Sequence, residues 1–273
     1  MAENEVAPRA TLAGRLFHLL VRVVPLIIIV LGIIVPPWSV LGKAHLIGYG
    51  ICHQIPERTF FFNNHPLPLC ARCSGSYLGA MVGFVGLLIA GRRRVGELPP
   101  GRVLLILGGF IVVMGIDGVN SYLTFFPNVP HLYEPQNWLR LVTGMLNGLA
   151  LSLIVYPVFN YTLWHNTERR PSIQAPWELI PFLCTIPVSV WMLESGAEFW
   201  LYPLSILSTG GVLLLLTMVN TMIVLILVRR ESVAVNWRGA FLPLSWGLAV
   251  SFLELSVTIT ARAVLTQVLG LPF

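Results

Sequence analysis

Residues 39–73 form a polar stretch between hydrophobic segments, and this cysteine segment holds three of the four cysteines and two of the six histidines at positions 52 to 73. These residues are Cys52, His53, His65, Cys70 and Cys73. Thiolates and imidazoles are common zinc ligands, and a C-x-x-C pair at a helix start is also the usual redox dithiol. The cysteine segment is therefore the predicted site of chemistry.

Three clustered thiols favour a metal ion over disulfides, because pairing two of them leaves the third unpaired. A tetrahedral zinc ion would take Cys52, Cys70 and Cys73 as ligands, with His53 or His65 as the fourth. Both histidines remain open, since adjacent residues such as Cys52 and His53 rarely bind one ion without strain. A site closed in this way would be structural and would hold the segment over the helices.

A water in the fourth position would instead make the site catalytic. Glu57 or Asp117 would then serve as general base, and Arg140 would hold an anionic head group. The protein would be a membrane hydrolase or transferase that depends on zinc.

A second hypothesis is a thiol–disulfide oxidoreductase coupled to quinone. Cys70 would be activated by the start of a helix and by Arg72, because both stabilise a thiolate, and Cys52 would be the partner thiol. A cavity between the helices would bind the quinone or a similar lipid-like ligand. A third hypothesis is a transporter or an accessory subunit of a membrane complex, which would bind partner subunits.

The composition indicates an integral membrane protein. Of the 273 residues, 56% are hydrophobic and only 11% are charged, whereas a soluble domain carries about 25% charged residues. The net charge of +5 comes from short arginine clusters between apolar stretches, which orient a chain in a lipid bilayer. We therefore expect the bilayer as partner and no nucleic acid.

The hydropathy pattern predicts an all-α bundle of about seven transmembrane helices. The almost purely aliphatic part of the first helix covers about residues 23–35, and the other stretches cover about residues 74–91, 103–122, 137–164, 177–193, 201–228 and 240–269. These six match the roughly 20 residues that a bilayer requires, although the fifth of the seven is short and contains proline. Gly75, Gly79 and Gly83 recur every four residues in the second stretch, a face of small residues that permits close helix packing.

The distribution of basic residues predicts the orientation. With seven alternating spans, twelve of the 17 lysines and arginines lie on the side of the N-terminus, and only Lys43, Arg58 and Arg72 lie in loops on the other side. Basic loops stay in the cytoplasm. The N-terminus is therefore expected inside a multi-pass protein of the cell membrane, with the cysteine segment outside.

Charged residues within spans are costly in hydrocarbon and usually pair or serve a function. Asp117 and Arg140 are expected to pair between the third and fourth spans, and Glu254 and Arg262 are candidates for a structural ion pair within the seventh. Asp117, Arg140 and Arg262, together with Glu194 and Glu198 at the outer end of the fifth span, are expected to line one cavity on the side of the cysteines.

Four stretches together resemble an uncharacterised, domain-of-unknown-function family of small polytopic membrane proteins of bacteria and archaea. They are the stretches 52–58 (Cys-His-Gln-Ile-Pro-Glu-Arg), 69–79 (beginning Leu-Cys-Ala-Arg-Cys), and 115–118 with 137–144. The resemblance covers about residues 45–155 and implies a membrane protein, without supplying a reaction. Residues 1–273 are expected to form a single membrane domain, in which residues 177–273 are an additional three-helix extension.

Reporter fusions test the predicted orientation. A fusion between Arg92 and Arg102 is expected to show cytoplasmic activity, and one between Cys52 and Cys73 is expected to show external exposure, because the basic loops stay inside. Cytoplasmic activity from the fusion within the cysteine segment would contradict this orientation.

Overall fold

The computed structural model describes residues 12–126 and 129–270, and within them the protein is a bundle of α-helices. The helices are α1 (Leu12–Ile34), α2 (Val40–Ile51), α3 (Ala71–Ile89), α4 (Gly101–Leu123), α5 (Asn137–Leu163), α6 (Ile180–Leu183), α7 (Thr185–Glu194), α8 (Leu201–Leu227) and α9 (Trp237–Leu269). Short strands are β1 (Phe61–Phe62), β2 (His65–Pro66), β3 (Val95–Glu97) and β4 (Glu168–Pro171). Single 3₁₀ turns cover Pro56–Arg58, Pro176–Leu179 and Glu198–Trp200.

The predicted polytopic α-helical fold is confirmed. Six helical segments in the described part of the chain are long and apolar enough to cross a membrane, close to the seven predicted. They are α3, α4, α5, the segment Pro176–Glu194 around α6 and α7, α8 with its preceding turn, and α9. The apolar part of α1, Leu19–Ile34, is shorter than the others.

Glycines bring α3 and α5 into backbone contact at the centre of the bundle. A Cβ atom added to Gly75 or Gly79 would lie only 2.4 Å or 2.3 Å from a backbone oxygen of α5. Gly148 of α5 is closer still, since its added Cβ would lie 1.9 Å from the carbonyl oxygen of Ser76. The small-residue face predicted from the sequence is thus the contact between these two helices.

The other helices surround this central pair. α4 packs on α5, α8 packs on α3, and α9 packs on α8. α1 and α2 both lie against α9. At the end of the bundle away from the cysteines, Arg92 Nη1 and Glu178 Oε2 form an ion pair at 2.6 Å, which connects the end of α3 to the turn Pro176–Leu179.

The cysteine segment contains more regular structure than the loop we expected. Ser39 caps the start of α2, because its Oγ accepts a hydrogen bond from the N–H of Gly42 at 3.1 Å. β1 and β2 form a hairpin whose two-residue turn, Asn63–Asn64, has φ values of 47° and 64°. Asparagine tolerates this left-handed conformation, and such turns match the twist of a hairpin.

Replacement of Gly148 by alanine is expected to destabilise the bundle. The new methyl group would overlap a backbone oxygen that cannot move alone, and overpacking of this kind costs about 1–3 kcal/mol or more. Thermal unfolding in detergent should show a midpoint lowered by several degrees. Gly108→Ala in α4 is the matched control, because nothing lies within 4 Å of its added Cβ. Equal midpoints for the two variants would contradict the packing argument.

Candidate metal centre

Two helix ends bring the three cysteines together. Cys52 follows the last turn of α2, where its N–H donates to the carbonyl of Gly48 at 2.8 Å. Cys70 is the residue just before α3, with extended backbone angles, and Cys73 lies in the first turn of that helix. Residues three apart at a helix start share one face, so the C-x-x-C spacing directs both side chains toward Cys52.

The sulfur atoms of Cys52, Cys70 and Cys73 all lie within 4.8 Å of one another, and none is in a disulfide. Cys52 is buried, and the other two are partly buried. The backbone N–H of Cys70 donates to the Cys52 sulfur at 3.2 Å, and that of Gln54 does so at 3.5 Å. Such hydrogen bonds stabilise negative charge on a thiolate.

Gly48 and Gln54 set the distance between the two helix ends. The Nε2 of Gln54 donates to the carbonyl oxygens of His45 at 3.1 Å and Pro68 at 2.7 Å. A Cβ atom at Gly48 would lie 2.1 Å from the same Pro68 oxygen, so α2 could not approach as closely with any other residue. Sequence reasoning missed Gly48, whereas Gln54 was part of the Cys-His-Gln motif.

Arg262 of α9 closes the end of α2. Its guanidinium donates to the carbonyl oxygens of Tyr49 at 2.7 Å, Cys52, and His53 at 2.8 Å. The same group lies 4.1 Å from the centre of the Tyr49 ring. A cation at a helix C-terminus satisfies carbonyls that have no partner within the helix.

The three thiols differ in acidity. The pKa of Cys70 is held well below its usual range, chiefly by hydrogen bonds from the Cys52 and Cys73 thiols and further by the charge of Arg72. The pKa of Cys52 is raised, chiefly by its hydrogen bond to Cys70. The surroundings of the cluster therefore favour a thiolate at Cys70 over one at Cys52.

Asp117 pairs with Arg72, and the expected pairing with Arg140 is wrong. The Nε of Arg72 lies 2.9 Å from Asp117 Oδ2, and its Nη2 contacts the same oxygen. Tyr133 donates to Oδ1 at 2.7 Å, and Thr143 donates to Oδ2 at 3.3 Å. Arg140 of α5 contacts α4 one helical turn farther along, where its Nε donates to Ser121 Oγ at 3.1 Å.

Glu254 and Arg262 also do not pair. They are eight residues apart on α9, a rise of about 12 Å, which is too far for direct contact. The Oε2 of Glu254 accepts a hydrogen bond from Asn220 of α8 at 3.0 Å instead.

The remaining predicted residues lie outside the sulfur cluster. His53 and His65 are both exposed, and no histidine in the described ranges joins the group of sulfurs within 4.8 Å. The side chain of Glu57 is exposed as well, and its backbone oxygen accepts from Asn137 Nδ2 at 3.2 Å. The structure thus brings the three cysteines close together, and the two histidines do not join them.

A double-mutant cycle tests the partner of Asp117. Arg72→Gln and Asp117→Asn should show a coupling energy of about 1–3 kcal/mol in the free energy of unfolding, because each change removes the same buried interaction. Arg140→Gln is the control, and its effect should add to that of Asp117→Asn within about 0.5 kcal/mol. A stronger coupling of Asp117 with Arg140 than with Arg72 would refute the assignment.

Comparison with known proteins covers the part of the chain that contains these residues. A family model described as "Predicted membrane protein (DUF2085)" matches residues 52–154. An uncharacterized protein of Methanocaldococcus jannaschii is 31% identical over 109 residues, which are 40% of this chain and 64% of that relative, slightly under two thirds. An uncharacterized protein of Methanothermobacter thermautotrophicus is 33% identical over 104 residues, which are 38% of this chain and 83% of that relative. No solved structure matches the chain. The chain therefore belongs to the DUF2085 family of predicted membrane proteins.

Proposed function

We propose that this membrane protein binds one zinc-like ion through Cys52, Cys70 and Cys73. The observation that supports it best is the convergence of three free sulfurs within 4.8 Å. A tetrahedral ion about 2.3 Å from each sulfur would space the sulfurs about 3.8 Å apart, so only small adjustments of the thiols are needed. The N–H donors to Cys52 and the low pKa of Cys70 both favour the thiolates that a metal requires.

The fourth position of the ion is proposed to be open to solvent or to a ligand. No ring nitrogen of His53 or His65 belongs to the group of ligand atoms within 4.8 Å, and three protein ligands plus one exchangeable position are typical of catalytic zinc. A zinc ion in such a site polarises a bound carbonyl or phosphoryl oxygen. A membrane hydrolase or transferase is the reaction class that this arrangement favours.

The roles proposed for the nearby charged residues differ from one another. Both carboxylate oxygens of Asp117 already accept hydrogen bonds, so this residue orients Arg72 rather than acting as general base. Glu57 is exposed and keeps its carboxylate available, which makes it the better candidate base. Arg140 remains the proposed partner of an anionic group.

The extension at residues 177–273 is proposed to support the site. Arg262 in α9 binds the backbone at the end of α2, directly beside Cys52. The extension and the matched region would then act as one membrane domain, in the cell membrane and with the cysteine segment outside.

A thiol–disulfide oxidoreductase is the second candidate. The sulfurs of Cys52 and Cys70 are close, Cys70 favours the thiolate, and a groove of about 370 Å³ borders Cys52 between α2 and α9. A quinone that reaches this groove would accept two electrons from the dithiol. The third thiol has no role in that exchange, which is why the metal site is preferred.

Elemental analysis of the purified chain is expected to show one zinc-like ion per molecule. Cys52→Ser, Cys70→Ser and Cys73→Ser should each lower the metal content severalfold or abolish it, because serine is a poor ligand for a soft ion. Cys184→Ser is the matched control and should keep the full content, since Cys184 is exposed and lies outside the sulfur cluster. Metal-free protein with a Cys52–Cys70 disulfide, identified by mass spectrometry after alkylation, would refute the proposal and favour the oxidoreductase.

A further inference from the structure

Three guanidinium groups from three different elements converge on one end of α4. Arg58 reaches it from the turn Pro56–Arg58, Arg72 from the start of α3, and Arg140 from the start of α5. Arg58 Nη2 donates to the carbonyl of Ser121 at 3.0 Å, and Arg140 Nε donates to the hydroxyl of the same residue. Arg72 binds Asp117, one turn earlier on the same face of α4.

The charges in this cluster do not balance. Asp117 neutralises Arg72, and within the described part of the chain neither the exposed Glu57 next to Arg58 nor any other carboxylate lies within 4.0 Å of the three arginines. The acceptors of Arg58 and Arg140 are a carbonyl, a hydroxyl and an amide, all neutral. The C-terminal end of α4 adds only about half a negative charge.

The burial of Arg140 makes this excess costly. Its relative exposure is only 7%, and a buried charge without a counter-charge is strongly destabilising. The pKa of Arg58 is lowered chiefly by burial and then by the positive charge of Arg72, although Cys70, Glu57 and Asp117 act in the opposite direction. Because Arg58 and Arg140 contact no carboxylate among the described residues, a bound anion would relieve this cost.

Free donors remain on two of the guanidinium groups. Arg140 uses Nε and Nη1, and Arg58 uses Nη2, so that Arg140 Nη2 and Arg58 Nη1 have no protein acceptor among the described residues. The guanidinium of Arg58 lies over the ring of Phe125, with its Cζ 4.0 Å from the ring centre. Rigid guanidinium groups with free donors are well suited to oxyanions, which accept two hydrogen bonds at once.

We propose that Arg58 and Arg140, with Arg72 beside them, bind a phosphate-class oxyanion at the cysteine end of the bundle. The shared chemistry is a tetrahedral phosphoryl group, which occurs both in free phosphate and in the head group of an anionic lipid. This site rests on one part of the proposed function, the binding of an anionic group by Arg140, and it does not depend on the metal ion, because Arg58, Arg140 and their acceptors belong to α4, α5 and the turn Pro56–Arg58. Since Cys70 is only two residues from Arg72, a bound phosphoryl group would lie near the sulfur cluster.

Titration of the full chain with inorganic phosphate in a neutral detergent tests the site. Calorimetry at constant ionic strength should detect binding that Arg58→Gln and Arg140→Gln each weaken by about tenfold or more, because each removes a charged hydrogen-bond donor. Arg102→Gln is the matched control and should leave the affinity unchanged, since Arg102 is exposed at the opposite end of α4. Arg58→Lys should bind phosphate with intermediate affinity, because lysine keeps the positive charge but lacks the planar guanidinium that donates two parallel hydrogen bonds.

A second arm distinguishes the source of the phosphoryl group. The chain in nanodiscs of neutral phosphatidylcholine is mixed with phosphatidylglycerol, and the lipid retained is measured by native mass spectrometry. If the wild-type chain retains phosphatidylglycerol selectively and Arg58→Gln abolishes this retention, the ligand is a lipid head group. If the wild-type chain binds inorganic phosphate but retains no phosphatidylglycerol, the ligand is a soluble anion. The proposal is overturned if neither probe binds the wild-type chain, or if Arg58→Gln and Arg102→Gln have equal effects on both. Arg58 is only partly buried, so this variant decides the question even where Arg140→Gln does not fold.

Discussion

The backbone contact between α3 and α5 determines where every group of the candidate site lies. Gly144 of α5 packs against the carbonyl of Arg72, where an added Cβ would lie 2.3 Å from that oxygen. Arg72 lies between Cys70 and Cys73 in the sequence. The alignment of α3 and α5 that allows the close contact of Gly144 therefore also positions both thiols. Van der Waals packing between small residues is the main source of such helix association in lipid. The site therefore depends on glycines that carry no chemistry themselves.

A polar network connects Arg72, which lies between Cys70 and Cys73 in the sequence, to the segment between α4 and α5. Arg72 binds Asp117, and Asp117 also accepts from Tyr133 in the segment that joins α4 to α5. Asn120 adds two contacts to the same segment, since its Nδ2 donates to Tyr133 O at 2.9 Å and its Oδ1 accepts from Leu132 N at 2.6 Å. Buried polar groups are costly unless satisfied, and here nearly all of their hydrogen bonds are made within the protein. Movement of this segment would therefore change the hydrogen bonds of Asp117 and, through Asp117, the position of Arg72.

Periodicity and composition were sufficient to predict the helical bundle, because long apolar stretches in a bilayer have few alternatives to helices. The C-x-x-C spacing and the isolated Cys52 likewise predicted three sulfurs near one another, as the structure shows. The interaction partners of the charged residues could not be predicted from such patterns. Whether Asp117 meets Arg72 or Arg140 depends on a shift of one helical turn, which the sequence pattern does not encode. The helix α2 was missed because it is too short to span a membrane and was assigned to a loop.

Arg262 donates its hydrogen bonds to main-chain oxygens of Tyr49, Cys52 and His53, rather than to their side chains. Every amino acid supplies such an oxygen, so these hydrogen bonds require no particular side chain at the three positions, and the ring of Tyr49 adds a contact of its own with the guanidinium. Exchange of the Cys52 or His53 side chain would therefore leave the acceptors of Arg262 in place. The position of this helix end is in that sense independent of the chemistry of the thiol beside it.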